Sequence, residues 1–305
     1  MNEKEGINIL NGDLPVYVLE GHVGDVFNMV VHSSKRLIGK SYYFMCAENQ
    51  IDLVTYLVSN YKTPPIQIIS VSNVWGSIRE SFEAKNKLPG GIVQPKDDKG
   101  GPKFLWADPS DFDYLMPLEK KDIDSWINFF CETNLEKDFP NMSVVFFTKA
   151  SPNIPIKINI PFDTMVPELK KMGLENIFAN VSGHKYYGDE TVPGATSINL
   201  TLREIISMVY RRKKSILLIG LRSGIFDCFR FSKSFSCIFY DSSNELLYKS
   251  WRLGNLVNRN NLQEILLGYG EPESYSMKFM IDFAHCFVIL NRKHIRFKDQ
   301  KFLLD

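Results

Sequence analysis

Twice along this chain a short apolar run stops at a polar, glycine-bearing turn and a helical pattern takes over. "LPVYVLE" (Leu14 to Glu20) leads into "GHVGD", and from Asp25 onward Val26, Met29, Val30 and Leu37 recur at helical spacing. "SYYFMCAE" (Ser41 to Glu48) and "IQIISVS" (Ile66 to Ser72) read as strands, with the amphipathic "QIDLVTYLVSNY" between them. Strands that alternate with helices over short connections run parallel, each crossover helix covering a face of the sheet. The pattern resumes at "MSVVFFTKA" (Met142 to Ala150), a buried strand. "FDTMVPELKKMGL" follows, helical in part with Pro167 near its first turn, then the strand "ENIFANVSG" and the long polar loop "GHKYYGDETVPGATS". "TLREIISMVYRRKK" is a helix with Leu202, Ile205, Ile206 and Val209 on one face, and Thr201 with Glu204 makes a capping box. "SILLIG" and "FSCIFYD" (Phe235 to Asp241) are further strands. The fold class expected is α/β, with two parallel-sheet halves.

Length fits that division, since 305 residues exceed one ordinary domain of about 150 residues. The expected domains are residues 1–140 and 141–305, with the final helix able to pack back on the first. Between the halves, "KLPGGIVQPKDDKGGPK" (Lys87 to Lys103) is rich in Gly, Pro and Lys and is expected to be a mobile loop or an insertion. "EKKDIDSWINFFCETN" reads as a helix.

Composition excludes several functions. A net charge of +1 gives no global field for nucleic acid. "MNEKEGINILNGD" has no apolar core of signal-peptide length, and no window reaches the apolar length of a membrane span. A cytoplasmic place is therefore expected, free or peripheral to the inner membrane. Cys46, Cys131, Cys228, Cys237 and Cys286 stand apart, without a CxxC pair, and the histidines lack HxxxH or HExxH spacing. That is neither a disulfide framework nor a zinc site, and no cofactor or metal is expected.

In open parallel sheets ligands bind beyond the carboxyl ends of the strands, and three polar clusters fall there. In "GHVGD" the glycines allow a tight turn, and Asp25 is a helix N-cap or a general base aimed at a substrate hydroxyl, with His22 as second candidate. In "FFTKASPN", Thr148, Lys149 and Ser151 follow a buried strand; the lysine neutralises phosphate or lies along the surface. In "LLIGLRSGIFD", Arg222, Ser223 and Gly224 precede a segment, Gly224 to Ser232, expected to begin a helix whose free N–H groups attract an anion. Neither GxxxxGK[ST] nor GxGxxG is present.

The stretch "FANVSG…ETVPGATSINLTLREI…LLIGLRSGIFD" resembles the C-terminal half of bacterial glycosyltransferase-like proteins of surface-polysaccharide and lipopolysaccharide synthesis. The matching residues are Asn180, Val181, Glu190, Pro193, Gly194, Thr196, Arg222, Ser223, Gly224 and Asp227. The N-terminal strand, "GD" loop and helix are similar in outline to those of lipopolysaccharide heptosyltransferases, although the Thr-Pro that follows the loop there is missing. The resemblance implies a GT-B architecture, two Rossmann-like halves facing across a cleft. It implies a nucleotide-sugar donor on the second half, with Asn180, Gly194, Thr196, Arg222, Ser223 and Gly224 near its phosphates, and a glycan or lipid-linked acceptor on the first. It also implies transfer without a metal; "DFD" (Asp111 to Asp113) fits a DxD pattern but lies in the irregular middle. Two other readings stand beside it. One is a polysaccharide pyruvyl transferase using phosphoenolpyruvate, against which Arg222-Ser223-Gly224 replaces the usual arginine-leucine-histidine. The other is a non-catalytic partner of another transferase.

Overall fold

The computed structural model describes residues 16–19, 21–72, 87–88, 92–93, 104–105, 118–132, 138–149, 160–180, 191–242, 253, 261–268 and 273–301. The chain divides into two compact units, Met1–Asp122 and Ile123–Asp305. This division falls earlier than position 140, within the first turn of a helix spanning Lys120–Glu132.

In the first unit, β1 (Val16–Leu19), α1 (Val23–Arg36), β2 (Tyr43–Ala47), α2 (Ile51–Val58) and β3 (Gln67–Val71) alternate as the sequence pattern requires. The short pairs β4 (Lys87–Leu88) and β5 (Ile92–Val93) run antiparallel. They lie inside the Gly/Pro-rich segment, the rest of which falls outside the described residues, as do Asp111 to Asp113. A further strand, β6 (Phe104–Leu105), pairs parallel to β1, so the sheet order is β3-β2-β1-β6 and every pair in it is parallel. Val26, Phe27, Met29, Val30 and Val31 of α1 and Leu53, Val54 and Leu57 of α2 are buried, and the two helices pack together. β2 reads as a continuous apolar run because residues on both its faces are buried.

The second unit takes up α3 (Lys120–Glu132) from Ile123 onward; Trp126 and Phe130 of this helix are buried, and the Phe130 ring lies 4.6 Å from that of Tyr210. Then come β7 (Ser143–Phe147), α4 (Phe162–Lys171), β8 (Ile177–Asn180), β9 (Thr196–Ile198), α5 (Leu202–Arg212), β10 (Ile216–Leu221), α6 (Ile225–Cys228), β11 (Phe235–Asp241), β12 (Leu262–Leu267) and α7 (Glu273–Lys301). The sheet order is β12-β11-β10-β7-β8-β9, again all parallel. From β7 the chain builds outward to β9, returns to the other side of β7 as β10, and builds outward to β12. That is the doubly wound order, with its reversal between β7 and β10.

Met165, Val166 and Leu169 of α4 and Met280, Ala284, Phe287 and Val288 of α7 close one core over Val144, Phe146, Leu217 and Ile219. Pro167 lies in the second turn of α4 rather than near its start, at an exposed position, and its ring leaves the Asp163 carbonyl without an intrahelical donor. The capping box forms as expected: Thr201 N–H donates to Glu204 Oε2 at 2.7 Å, and Glu204 N–H donates to Thr201 Oγ1 at 3.3 Å. Thr201→Ala is expected to lower stability by about 1 kcal/mol, the usual cost of losing a cap, measured as a shift in the urea midpoint. A wild-type midpoint would show that solvent caps α5 equally well.

Two expectations are corrected. The segment after Gly224 forms a single turn, Ile225–Cys228, and not a helix reaching Ser232. The polar loop before α5 contains a short parallel edge strand, β9, which its polar composition conceals.

Candidate functional site

The order reversal puts the carboxyl ends of β7 and β10 side by side. Their pairing ends at Gly220 opposite Phe147, so Thr148 and Lys149 leave the sheet beside Leu221 and Arg222. Gly220 is required there: a Cβ would stand 2.3 Å from the Phe147 carbonyl oxygen. Asn180 lies at the same level, one residue beyond the Ala179–Phe146 pair. Lys149 is exposed, and Thr148, Ser223 and Gly224 are half-buried. One polar edge thus collects Thr148, Lys149, Asn180, Arg222, Ser223 and Gly224.

Gly194 and Thr196 do not join it. Thr196 pairs with Phe178, two positions short of Asn180, and Gly194 precedes it toward the amino end of the sheet. Gly194 instead serves a turn, with φ of 82° and Val166 Cγ1 3.0 Å from where a Cβ would be. A parallel strand places the residues just before it at the opposite end from those just after its neighbours, so proximity in the motif is not proximity in space.

Arg222 also differs from expectation. It is 6% exposed, and Asp227 is 4% exposed. Its Nη2 donates to both carboxylate oxygens of Asp227, at 2.8 and 2.9 Å, and its Nη1 donates to the Ser223 carbonyl. Its backbone N–H continues the sheet by donating to the Phe239 carbonyl at 2.9 Å. The fork expected to face a ligand therefore ties the turn to the one-turn helix behind it. Burial opposes charge on the guanidinium, but Asp227, Tyr240 and Glu264 outweigh it and hold Arg222 above its ordinary range. Burial pushes the Asp227 carboxyl upward against the pull of Arg222. The guanidinium keeps its charge at any ordinary pH, and one nitrogen, Nη2, spans both oxygens of the Asp227 side chain. Around it, Tyr240 OH bonds Glu264, which accepts from Leu253 N–H at 2.8 Å. Phe226 and Phe229 pack on Phe147 at 5.3 and 5.6 Å. Sequence reading missed this pair's role, although both members stand in "RSGIFD".

In the first unit, "GHVGD" lies at the carboxyl end of β1. Helix α1 begins at Val23 with His22 as its N-cap, so Asp25 is three residues past the cap and does not open the helix. Its Oδ2 accepts from His22 N–H at 2.7 Å. Gly21, with φ of 112°, leaves room for that carboxylate, which a Cβ would meet at 2.6 Å. From the single turn Glu48–Gln50 between β2 and α2, Gln50 Nε2 donates to the Gly21 carbonyl at 2.6 Å. The peptide between Gly21 and His22 is thus held at both polar ends, by Gln50 on its carbonyl and by Asp25 on its N–H.

Among the described residues no three His, Cys, Asp or Glu side chains group as metal ligands, and no helix is long and apolar enough to cross a membrane.

No protein-family model and no curated protein matches this chain. Among solved structures, it is similar to a glycosyl transferase family 9 protein from Veillonella parvula DSM 2008. The two share 12% identity, the match covers 92% of this chain and 98% of that one, and the TM-score is 0.45.

Proposed function

We propose that the chain is a metal-independent glycosyltransferase of GT-B type, moving a sugar from a nucleotide-activated donor to a glycan or lipid-linked acceptor. The observation that carries this reading is the polar edge at the β7–β10 reversal, the place where doubly wound sheets take nucleotides. In this reading the donor diphosphate lies against Thr148, Lys149 and Ser223, with Arg222 as a positioning residue that sets the Ser223–Gly224 turn. The acceptor hydroxyl attacks the donor's anomeric carbon, the bond to the diphosphate breaks, and the hydroxyl proton passes to Asp25, or to His22. In-line displacement inverts the sugar. The non-catalytic reading draws on one observation, that the Asp25 carboxylate already serves the start of α1.

The test is binding of uridine, guanosine, adenosine and cytidine diphosphates, by thermal shift and calorimetry. One base is expected to stabilise the protein, and Lys149→Ala or Ser223→Ala to weaken that binding by about tenfold, the scale of one charge-assisted hydrogen bond. Binding by none of the four would favour the non-catalytic reading. Binding that neither substitution alters would move the donor away from this edge.

A further inference from the structure

At the amino end of the second unit's sheet, opposite the Thr148–Ser223 edge, the chain returns from helix to strand. Lys170 and Lys171 close α4 ahead of β8, Lys213 and Lys214 stand between α5 and β10, and Lys233 stands between α6 and β11. Arg292 of α7 joins them: its Nη2 donates to the Met172 carbonyl at 3.1 Å, and Asn291 beside it donates to the Lys214 carbonyl at 3.1 Å. Those two bonds hold the ends of α4 and α5 against one stretch of α7. All six basic residues are exposed. Glu168 pairs with Lys171 at 2.6 Å and Asp138 with Arg212 at 2.8 Å, and Glu175 is exposed nearby in the chain. Among the described residues no carboxylate pairs with Lys213, Lys214 or Lys233. Cations at a helix C-terminus complement its dipole, which accounts for Lys170 and Lys171. It does not account for Lys233, since α6 has ended at Cys228, nor for Arg292, since α7 runs on to Lys301.

The whole chain carries a net charge of only +1, so this excess of positive charge is a local asymmetry. Two large aliphatic side chains stand in solvent just before Asn291, Ile289 at 51% exposure and Leu290 at 46%. Beyond Arg292, α7 continues through "KHIRFKDQK", whose sequence adds Lys293, Arg296, Lys298 and Lys301 against Asp299. Unpaired cations call for an anionic partner, and the exposed aliphatics beside them call for one with an apolar layer beneath its charge. A phospholipid surface has both: headgroup phosphates for the basic residues, and the acyl boundary for Ile289 and Leu290. A nucleic acid offers phosphates but nothing for the aliphatics. Five of the six exposed cations are lysine, a point charge suited to diffuse attraction rather than to forked recognition. We propose that the amino end of this sheet, with residues 289–292 of α7, docks on an anionic phospholipid bilayer. The strands are parallel, so this leaves the polar edge at the β7–β10 reversal at the end away from the lipid. The inference does not rest on the glycosyltransferase reading.

The experiment uses the full chain and sedimentation with vesicles of phosphatidylcholine alone or of phosphatidylcholine mixed with phosphatidylglycerol. The chain is expected to sediment with the mixed vesicles and not with phosphatidylcholine, and to be released as salt is raised. Lys214→Gln/Lys233→Gln is expected to weaken binding by about fivefold per lysine, the scale for one basic residue at an anionic surface. Ile289→Ser/Leu290→Ser should weaken it without changing its salt dependence. Amide hydrogen exchange supplies a check that needs no variant: mixed vesicles should protect residues 213–215 and 289–292 of the wild-type chain. Failure of the folded wild type to bind mixed vesicles overturns the inference, as does equal binding by the folded lysine variant or protection confined to other segments. Binding to a DNA duplex at the same salt, with none to vesicles, would overturn it in favour of nucleic acid. Nucleoside diphosphate binding is read separately, so either reading can fail while the other stands.

Discussion

Asp227→Ala is expected to lower the stability of the second unit by about 3–5 kcal/mol, the cost of leaving a buried charge without its partner. Arg222 is 6% exposed and cannot deprotonate at any ordinary pH. With Asp227 gone, its Nη2 loses both carboxylate contacts, and the bond from Nη1 to the Ser223 carbonyl, a neutral acceptor, does not replace that charge. Asp227→Asn keeps one acceptor and should fall between alanine and wild type. The double variant Arg222→Met/Asp227→Leu should recover much of the loss, because well-packed apolar residues replace a buried ion pair at little cost. The readout is the urea midpoint at constant slope. An unchanged midpoint for Asp227→Ala would mean that water reaches the guanidinium and that the turn is open rather than sealed. Only in that case could Arg222 turn toward a ligand.

Gly220→Ala is expected to cost roughly 3 kcal/mol, at the upper end of what overpacking a core usually costs. The added carbon would stand 2.3 Å from the Phe147 carbonyl oxygen and 2.7 Å from Phe147 Cβ. Neither neighbour is the end of a flexible side chain, so β7 and β10 must separate where their pairing ends. Gly39→Ala makes the control. Nothing lies within 4 Å of its added carbon, but its φ is 73°, so it should lose only about 1 kcal/mol through backbone strain. If the two alanines cost the same, backbone conformation and not contact between strands explains Gly220. The Gly220 variant should also weaken nucleotide binding if the donor lies at this edge, whereas Gly39→Ala should not.

Most elements were legible because their residues are buried on two faces or one. "FSCIFYD" is β11 residue for residue, and the Thr201–Glu204 box marked the start of α5. β12 escaped because its sequence, "LQEILL", is half-buried and broken by Gln263 and Glu264. Glu264 is there for its bonds to Tyr240 and Leu253, which no local pattern announces. At the site, the sequence indicated which strand ends carry polar residues. It did not indicate which way Arg222 faces, since that depends on a carboxylate five residues on, brought close by one helical turn. Nor did it separate Gly194 and Thr196 from the other motif residues, since that separation follows from strand direction. Gln50 drew no notice because a lone glutamine before a helix carries no motif; only its contact with the Gly21 carbonyl singles it out.

The strand order also governs how the second unit can be assembled. β7 is made first and ends up central: Val144 meets Ile177 nearby in the chain, but Ser143 waits for Ile216. Until β10 has been synthesised, the apolar flank "SVVFF" has a partner on one side alone. Ordering the long intervening stretch must precede any gain from that second pairing, which makes the unit slow to fold and exposes β7 to pairing with other chains meanwhile. A chain cut short before Ile216 would keep that flank open permanently, and such fragments should aggregate rather than persist as a smaller domain.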